Sequence, residues 1–374
     1  MRIGIEAQRI LRPKKHGMDV VALELIKNLQ EIDKQNDYVV FSRNDKDESA
    51  IVESSNFKIK RFSSFTYADW EQVKLKKAVT AQKIDLLHCT ANTAPLSLSI
   101  PLIVTLHDII YLEKVDFKGT TYQNLGNLYR RYIVPKIAKK AELLLTVSEF
   151  ERENIIRHLK LSEDRVKVLY NGVSPKFNNQ YSAEEVDAFR EKYKLPKNYI
   201  MFLGNTAPKK NTTNVIKAYA NYCSSEKDAI PLVLLDYRRE LVEKILQEIK
   251  QGDLIEKIIF PGYVPYNQIP LMYNAATLFL YPSLRESFGL PILEAMACGT
   301  PVITSNTSSM PEIAADAAAI IDPFNYLELA DAIKSLMKNE SLRNSYIEKG
   351  LQRVKGFTWR SSAEKLVDIY NSFQ

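Results

Sequence analysis

Residues 280–302 read Leu-Tyr-Pro-Ser-Leu-Arg-Glu-Ser-Phe-Gly-Leu-Pro-Ile-Leu-Glu-Ala-Met-Ala-Cys-Gly-Thr-Pro-Val. The pattern predicts a strand, a loop, a helix, a turn and a second strand. Pro291 suits the first turn of that helix, where its missing amide proton costs no hydrogen bond, and Gly299 suits the helix end. The segment is therefore one strand–helix–strand unit, the building block of parallel sheets.

Two carboxylates and a helix start lie close together in this segment. Glu286 is in the loop before the helix, and Glu294 is one turn inside it. The backbone amides of Phe288, Gly289 and Leu290 would meet the positive end of the helix dipole, which favours an anion such as a diphosphate. Ordinary helix-start chemistry also explains a Gly-Leu-Pro with an early glutamate, so this loop alone leaves both interpretations open.

The alternation of short apolar runs with amphipathic helices continues in both directions. Residues 20–31 are the clearest helix, because their apolar positions recur at helical spacing. The predicted strands form two series, 3–7, 38–42, 86–89, 102–106 and 143–147, then 199–203, 231–235, 258–260, 277–281, 301–304 and 319–321. The pattern predicts an α/β fold of two Rossmann-like, doubly wound domains. Ligands would bind at the carboxyl ends of the strands, in a central cleft that the two domains face.

The composition is that of an ordinary globular protein. The chain has 374 residues, which suits two domains, and 45% of them are hydrophobic and 26% charged. The sequence contains no run of about 18 apolar residues, so no transmembrane helix is predicted. The N-terminus lacks the apolar stretch of a signal peptide. The three cysteines have no metal-site or disulfide spacing, so we expect reduced thiols in a cytoplasmic protein.

The net charge of +6 is concentrated in the first half of the chain. Residues 1–180 contain 29 Lys and Arg against 22 Asp and Glu, while the remainder contains 22 against 23. An anionic membrane surface or a phosphate-bearing substrate would explain this excess. No nucleic-acid-binding motif accompanies it, so nucleic acid is not an expected partner.

One basic stretch mixes aromatic and cationic side chains. Residues 129–132 read Tyr-Arg-Arg-Tyr, and lysines follow at positions 136, 139 and 140. This composition is typical of a helix that lies in a membrane interface. A solvated helix face explains the same residues equally well. Peripheral contact with an anionic membrane, at the inner face, is therefore one of two interpretations.

Residues 280–302 as a whole closely resemble the Glu-x7-Glu signature of glycosyltransferase family 4, including the Pro-Ser before the first glutamate and the Ala-Met-Ala-Cys-Gly-x-Pro-Val after the second. The resemblance implies the GT-B fold and transfer of a sugar from a nucleoside diphosphate, with retention at the anomeric carbon and without a metal. It also implies roles for single residues. Glu286 would contact the donor-sugar hydroxyls, together with the amides of Phe288 and Gly289, and Glu294 would bind the ribose hydroxyls.

Residues 201–211, Met-Phe-Leu-Gly-Asn-Thr-Ala-Pro-Lys-Lys-Asn, resemble the family's Gly-x-x-x-Pro-Arg-Lys-Asn loop. Negative charge builds on the diphosphate as the glycosidic bond breaks, and a fixed cation lowers that barrier. The resemblance gives this role to Lys210. Lys209 stands where the family usually has arginine, and it lacks the planar fork that binds phosphate at two points. A solvated Lys-Lys turn is the alternative.

Three further matches lie outside these segments. His107, in Val-Thr-Leu-His-Asp-Ile at 104–109, follows a predicted strand, where a histidine is often structural. The family's His-Asp at this place contacts the donor sugar, so the resemblance makes His107 a candidate catalytic residue with Lys210 and Glu286. Gly17 matches the glycine loop near the donor phosphates, and Val264, in Pro-Gly-Tyr-Val, matches the loop beside the nucleobase.

The resemblance also sets the expected domain boundaries. Residues 1–175 would form an N-terminal acceptor domain, and residues 176–355 a C-terminal domain for the nucleotide sugar. Residues 356–374, which begin near Phe-Thr-Trp at 357–359, would form a helix that crosses back onto the first domain.

These matches predict a metal-independent, retaining hexosyltransferase that needs no cofactor. Its donor would be GDP-mannose or a UDP-hexose, and its acceptor a glycan or a lipid-linked sugar of bacterial surface polysaccharide, such as lipopolysaccharide. Asp45-Lys46-Asp47 has the spacing of a metal-binding Asp-x-Asp, but its polar surroundings indicate an exposed loop, and no metal site is predicted. Two alternatives stay open: another GT-B sugar-nucleotide enzyme of the epimerase kind, and a catalytically silent GT-B interaction domain.

Overall fold

The structure, a computed structural model, describes residues 1–113 and 121–374. The described chain divides into two compact units. The first contains Met1–Gly172 and Trp359–Gln374, and the second contains Val173–Thr358. These divisions lie within three residues of the boundaries expected at 175 and 355.

The first unit is built on a parallel sheet. In the part of the chain described, its strand order is β3-β2-β1-β4-β5-β6-β7, so the order reverses direction between β1 and β4. The strands are β1 (Arg2–Glu6), β2 (Asp37–Ser42), β3 (Phe57–Arg61), β4 (Leu86–Cys89), β5 (Leu102–Thr105), β6 (Leu143–Thr146) and β7 (Val166–Val168). The helices are α1 (Gly17–Ile32), α2 (Tyr67–Asp69), α3 (Lys76–Ala81), α4 (Ile110–Glu113), α5 (Thr121–Lys140), α6 (Glu149–Leu159) and, from the chain's end, α15 (Trp359–Asn371).

The second unit repeats this design. The strand order over its residues is β10-β9-β8-β11-β12-β13, again parallel, with the reversal between β8 and β11. The strands are β8 (Ile200–Leu203), β9 (Leu232–Leu235), β10 (Ile258–Ile259), β11 (Leu278–Tyr281), β12 (Val302–Ser305) and β13 (Ala319–Ile321). The helices are α7 (Ala183–Tyr193), α8 (Thr212–Ser225), α9 (Arg239–Glu248), α10 (Ile269–Ala275), α11 (Leu290–Ala297), α12 (Met310–Ala314), α13 (Tyr326–Lys338) and α14 (Glu340–Arg353). The prediction of two doubly wound parallel sheets is confirmed.

Strand periodicity places the core on both faces of each sheet. In the first unit, Ile3 and Ile5 belong to one buried cluster, which α1 and α15 cover. Val39 and Phe41 belong to a second cluster on the opposite face. Because side chains alternate along a strand, a sheet covered on both faces has almost continuous apolar strands, which is the signal that the sequence offered.

Two edge strands escaped prediction. The segment β3 reads Phe-Lys-Ile-Lys-Arg, and of these five residues only the first is fully buried. Lysine and arginine on an edge strand oppose pairing with another chain, but they also dilute the apolar pattern. The segment β7 is only three residues long. These two edge strands therefore lack the apolar run that identified the other strands.

One helix of the first unit exposes apolar side chains. Helix α5 buries Ile133, Val134 and Ile137, whereas Leu125, Leu128 and Tyr132 are exposed. Within the described residues, none of the helices is both long enough and apolar enough to cross a membrane.

Gly204, directly after β8, allows the chain to pass close to β9. A Cβ atom there would lie 2.8 Å from Leu234 Cδ1 and 2.8 Å from Tyr237 Cβ. We expect Gly204→Ala to destabilise the second unit by about 1–3 kcal/mol, because the two strands would have to move apart. Urea unfolding measures this effect, with Gly252→Ala as the control, since a Cβ at Gly252 meets no atom within 4 Å. Equal unfolding midpoints for both variants would contradict the prediction.

Candidate active site

Two loops leave the carboxyl ends of neighbouring strands at the reversal point of the second sheet. Residues 204–211 follow β8, and residues 282–289 follow β11. Open parallel sheets bind ligands at such a reversal point, because the loops on either side diverge there and leave a crevice. These loops carry most of the residues predicted for the donor.

Lys210, Lys209 and Glu286 come together at this point. The Lys210 ammonium lies 2.7 Å from Glu286 Oε1, and that of Lys209 lies 3.9 Å from Glu286 Oε2. The Glu286 side chain is 12% exposed and that of Lys210 is 23% exposed, whereas Lys209 is 43% exposed. Reduced contact with water strengthens the inner pair relative to a surface ion pair. The site therefore presents two cations and one carboxylate in a partly buried position.

Hydroxyl side chains after β12 hold the Glu286 loop. Ser308 Oγ accepts a hydrogen bond from the Glu286 amide at 3.0 Å. Ser309 Oγ contacts two carbonyl oxygens, of Glu286 at 3.0 Å and of Phe288 at 2.9 Å. No role was assigned to these serines from the sequence. The sequence signal that could have identified them is a pair of adjacent serines just after a predicted strand of the same sheet.

Asn211 ties the lysine loop to its neighbours. Its side-chain Nδ2 donates to the carbonyls of Pro282 at 3.0 Å and Pro323 at 2.7 Å. Its φ of 62° lies in the left-handed region, which asparagine tolerates better than most residues. The amide of Leu284 in turn donates to the Lys209 carbonyl at 2.7 Å. The loops after β8, β11 and β13 are therefore joined by direct hydrogen bonds, and sequence reasoning assigned Asn211 no part in this.

The predicted helix start is found at Leu290, where α11 begins. Gly289 precedes it with a φ of 104°, a conformation that side chains other than glycine's strain to adopt. Phe288 is buried, and its ring meets Phe357 edge-on. The first turn of a helix has amide groups without carbonyl partners inside the helix, and its dipole adds positive charge. This end of α11 therefore has the geometry of an anion site.

Glu294 lies one turn further into α11 and is half-buried. Tyr273 Oη donates to Glu294 Oε2 at 3.5 Å. Burial raises the pKa of the Glu294 carboxyl to about 7, and the contact with Tyr273 opposes this only in part. The side chain can therefore be either protonated or ionised near neutral pH.

Glu294 should make the second unit less stable as the pH rises. Its pKa is about 7 in the folded chain against an ordinary value of 4.5, so between these values the folded state holds a proton that the unfolded state has released. The free energy of unfolding then falls across this window, by an amount on the order of 3 kcal/mol. Urea unfolding at pH 5 and pH 8 measures the change, and Glu294→Gln should remove it. Burial also raises the pKa of Glu6 to about 7, so Glu6 adds the same pH dependence to the wild type and to Glu294→Gln. An unaltered pH dependence in the variant would contradict the assignment.

Two predicted contact residues have contrasting surroundings. Gly17 is the first residue of α1, and a Cβ there would meet no atom within 4 Å, so packing within the chain does not require glycine. Val264 is buried, whereas its neighbour Tyr263 is 81% exposed. Val264 was named for the nucleobase side, and this assignment stays a prediction; in the same loop the Tyr263 ring is exposed.

His107 lies in the first unit, just after β5. Its Nε2 contacts the Thr90 carbonyl at 2.8 Å, and its amide donates to Asn92 Oδ1 at 2.6 Å. A carbonyl only accepts, so Nε2 carries the proton. Burial lowers the pKa of His107. The ring is therefore neutral near pH 7, with Nδ1 in the form that accepts a hydrogen bond.

Asp45-Lys46-Asp47 does not stand out as a ligand cluster. The Asp47 carboxylate pairs with Lys15, and this hydrogen bond lowers the pKa of Asp47. Across residues 1–113 and 121–374, no group of three or more His, Cys, Asp or Glu side chains could hold a metal ion. The absence of a metal requirement stays a prediction.

Comparison with known proteins gives the same division of the chain. Residues 16–177 match Glycosyltransferase Family 4, and residues 184–353 match Glycosyl transferases group 1. The chain is 34% identical over 231 residues to the O-antigen chain mannosyltransferase B of Escherichia coli, covering 62% of this chain and 60% of that protein. It is 28% identical over 272 residues to the serotype-specific mannosyltransferase WbdA of Escherichia coli, covering 71% of this chain and 33% of WbdA. The matches thus extend over less than two thirds of these relatives' lengths.

The fold is also found in solved structures. The crystal structure of Anabaena HepE in complex with UDP-glucose superposes with a TM-score of 0.74 at 20% identity, and the match covers 100% of both chains. The predicted resemblance and the GT-B fold are confirmed by these comparisons. The chain therefore belongs to the GT-B glycosyltransferases, with an N-terminal Glycosyltransferase Family 4 domain and a C-terminal Glycosyl transferases group 1 domain.

Proposed function

We propose that this chain is a metal-independent, retaining hexosyltransferase whose donor is a nucleoside-diphosphate hexose. The observation that carries the proposal is the Lys210–Glu286 pair, at 2.7 Å, at the reversal point of the second sheet and next to the start of α11. A cation and a helix start suit a diphosphate, and a carboxylate suits sugar hydroxyls. One site thus combines the two chemistries that a nucleotide sugar requires.

The donor would be held by groups of the second unit. Lys210 and Lys209 would bind the diphosphate together with the amides of Phe288, Gly289 and Leu290. Glu286 would accept hydrogen bonds from the hexose, and Glu294 from the ribose, while the loop of Val264 would lie beside the base. The HepE structure holds UDP-glucose, and the two Escherichia coli relatives are mannosyltransferases, so UDP-hexoses and GDP-mannose are the first donors to test.

The chemistry would be a substitution at the anomeric carbon. The bond from that carbon to the diphosphate oxygen breaks, and the acceptor oxygen bonds to the same face. The departing phosphate oxygen takes the acceptor's proton, so no protein nucleophile is required. Lys210 would stabilise the charge that develops on the diphosphate, since a fixed cation is already oriented when the charge appears. His107, neutral near pH 7, stays the candidate catalytic residue of the first unit, since its Nδ1 can accept a hydrogen bond from a sugar hydroxyl.

A donor screen in EDTA tests the proposal. GDP-, UDP-, ADP- and TDP-sugars are compared for thermal stabilisation and for slow hydrolysis without acceptor. We expect one nucleotide to stabilise the fold and one sugar to be released without metal. NMR of the transferred sugar should show a retained anomeric configuration. An inverted product would refute the mechanism, and no binding to any donor would favour the silent-domain alternative.

The acceptor would be a glycan or a lipid-linked sugar of bacterial surface polysaccharide. The two Escherichia coli relatives support this, since one is an O-antigen chain mannosyltransferase and the other is serotype-specific. Elongation of a purified lipid-linked glycan by the donor found above is the direct test. Transfer to free monosaccharides alone would contradict this choice of acceptor.

A lipid-linked acceptor would be reached at a membrane surface. Leu125, Leu128 and Tyr132 are exposed at helical spacing on α5, and Lys136 follows one turn later, with its ammonium 3.4 Å from the centre of the Tyr132 ring. Lys139 and Lys140 extend the exposed face at its C-terminal end. Apolar side chains that enter the bilayer next to cations that meet anionic headgroups favour peripheral contact with the inner membrane face.

Vesicle binding tests this contact. We expect the protein to sediment with phosphatidylglycerol vesicles at low salt and to remain free of phosphatidylcholine vesicles. The variant Leu125→Gln/Leu128→Gln should bind vesicles at least about tenfold more weakly, because it lacks the two leucines that would enter the bilayer. Val52→Gln is the matched control, since Val52 is also exposed in the first unit and lies beside α1, where its carbonyl accepts a hydrogen bond from Gln30. Equal binding by both variants would refute the surface.

A further inference from the structure

Tyr281 lies beneath the donor site, at the end of β11 and between β8 and β12. It is only 3% exposed, and its carbonyl accepts from Thr304 Oγ1 at 2.9 Å. The side chain is therefore fixed by the centre of the sheet rather than by a loop. None of the roles proposed above includes it.

The Tyr281 hydroxyl contacts the catalytic cation. Lys210 Nζ donates to Tyr281 Oη at 3.1 Å, and it lies 4.9 Å from the centre of the ring. The same ammonium reaches Glu286 Oε1 at 2.7 Å. Lys210 thus bridges a hydroxyl from the rigid sheet and a carboxylate from the loop.

The direction of these hydrogen bonds follows from chemistry. An ammonium group only donates, so Tyr281 Oη accepts from Lys210 and keeps its own proton to donate. Burial, followed by the charge of Glu286, raises the pKa of Tyr281 well above its ordinary value. The phenol therefore stays protonated. Lys210 is the group that joins the Tyr281 hydroxyl to the Glu286 carboxylate.

We propose that Tyr281 is a positioning residue, whose hydroxyl holds the Lys210 ammonium beside the Glu286 carboxylate, where the diphosphate and the hexose of the donor meet. This inference rests on the proposed function. When a donor enters, Lys210 gains a second anion and shares its charge between the diphosphate and Glu286. The hydrogen bond to Tyr281 then keeps the Lys210 ammonium in place, because its acceptor belongs to the sheet and not to the loops. Phenylalanine would preserve the ring and its packing but lose the hydrogen bond from Lys210.

Tyr281→Phe tests the role through the steady-state kinetics of the donor. We expect kcat to fall about tenfold while the KM for the donor changes less than threefold, because Lys210 is needed most as charge develops on the leaving group. Tyr199→Phe is the matched control. Tyr199 is also fully buried in the second unit, and its hydroxyl donates to the Met272 carbonyl at 2.7 Å, away from this site. An equal loss of kcat in both variants would show that any buried hydroxyl has the same effect and would overturn the proposal.

A double-mutant cycle with Lys210→Gln separates positioning from general stability. If Tyr281 acts through Lys210, Tyr281→Phe should reduce kcat less than threefold when Lys210 is already replaced. Additive losses would overturn the proposal while leaving the glycosyltransferase activity of the wild type intact. A wild type that turns over no donor would instead refute the proposed function, and the role of Tyr281 with it.

Discussion

Replacing Lys210 by alanine is expected to lower kcat about 10²–10³-fold. This side chain is the cation nearest to Glu286, at 2.7 Å, and it is partly shielded from water. Removing one fixed group that stabilises developing charge commonly costs this much, because water is a poor substitute in a preorganised site. Steady-state transfer from the donor found in the screen measures the effect.

Two further variants sharpen this test. Lys210→Arg keeps the charge but changes its shape, so its kcat should lie between those of the wild type and Lys210→Ala. Lys217→Ala is the control, since Lys217 lies on α8 and lines a separate groove with Asn221 and Ser224. If the kcat of Lys210→Ala were within threefold of the wild-type value, Lys210 would not be the cation that stabilises the leaving group.

Replacing Glu286 by glutamine should lower kcat about 10²-fold while leaving nucleoside-diphosphate binding at least as strong. The carboxylate accepts hydrogen bonds from the hexose in the proposed complex, and a neutral amide accepts them more weakly. Lys210 would lose a competing anion within 2.7 Å and be freer to bind the diphosphate. Kinetics with the sugar nucleotide, together with calorimetry on the bare nucleoside diphosphate, separates the two effects.

The matched control for Glu286 is an exposed ion pair in the same unit. Glu243 contacts Arg239 at 3.0 Å on the surface of α9, so Glu243→Gln removes a carboxylate and an ion pair without touching the site. Its kcat should equal that of the wild type, because surface pairs contribute little. If Glu286→Gln weakened nucleoside-diphosphate binding as much as it lowered kcat, Glu286 would instead hold the nucleotide.

The two sheets could be predicted because their central strands are buried on both faces. Strands such as β5 and β9 are almost entirely apolar and lie between turn signals, and all the strands expected in both series are present. The edge strands β3 and β7 were missed, since one is rich in lysine and arginine and the other is very short. The edge strands β10 and β13 are also short, but they are apolar, so the sequence did mark them.

The candidate site was predicted only in part. Glu286 and Lys210 were named from two motifs 76 positions apart, and the structure brings them into contact. Ser308, Ser309 and Asn211, which hold the two loops, were not assigned a role. Their hydrogen bonds go to backbone carbonyls and amides of other loops, and such partners leave no side-chain pattern to recognise.

The sequence by itself determined the alternation of strands and helices, the division into two sheets, and the residue types in the loops after β8 and β11, because periodicity, turn residues and motif spacing are local properties. Only the tertiary structure decided that Tyr281 lies under Lys210 and Glu286, and that Val264 is buried while Tyr263 is exposed. It also decided which face of α5 is left uncovered. The physical reason is that a side chain's partners and exposure depend on which strands are neighbours in the sheet, and strand order is set by packing of residues far apart in the chain.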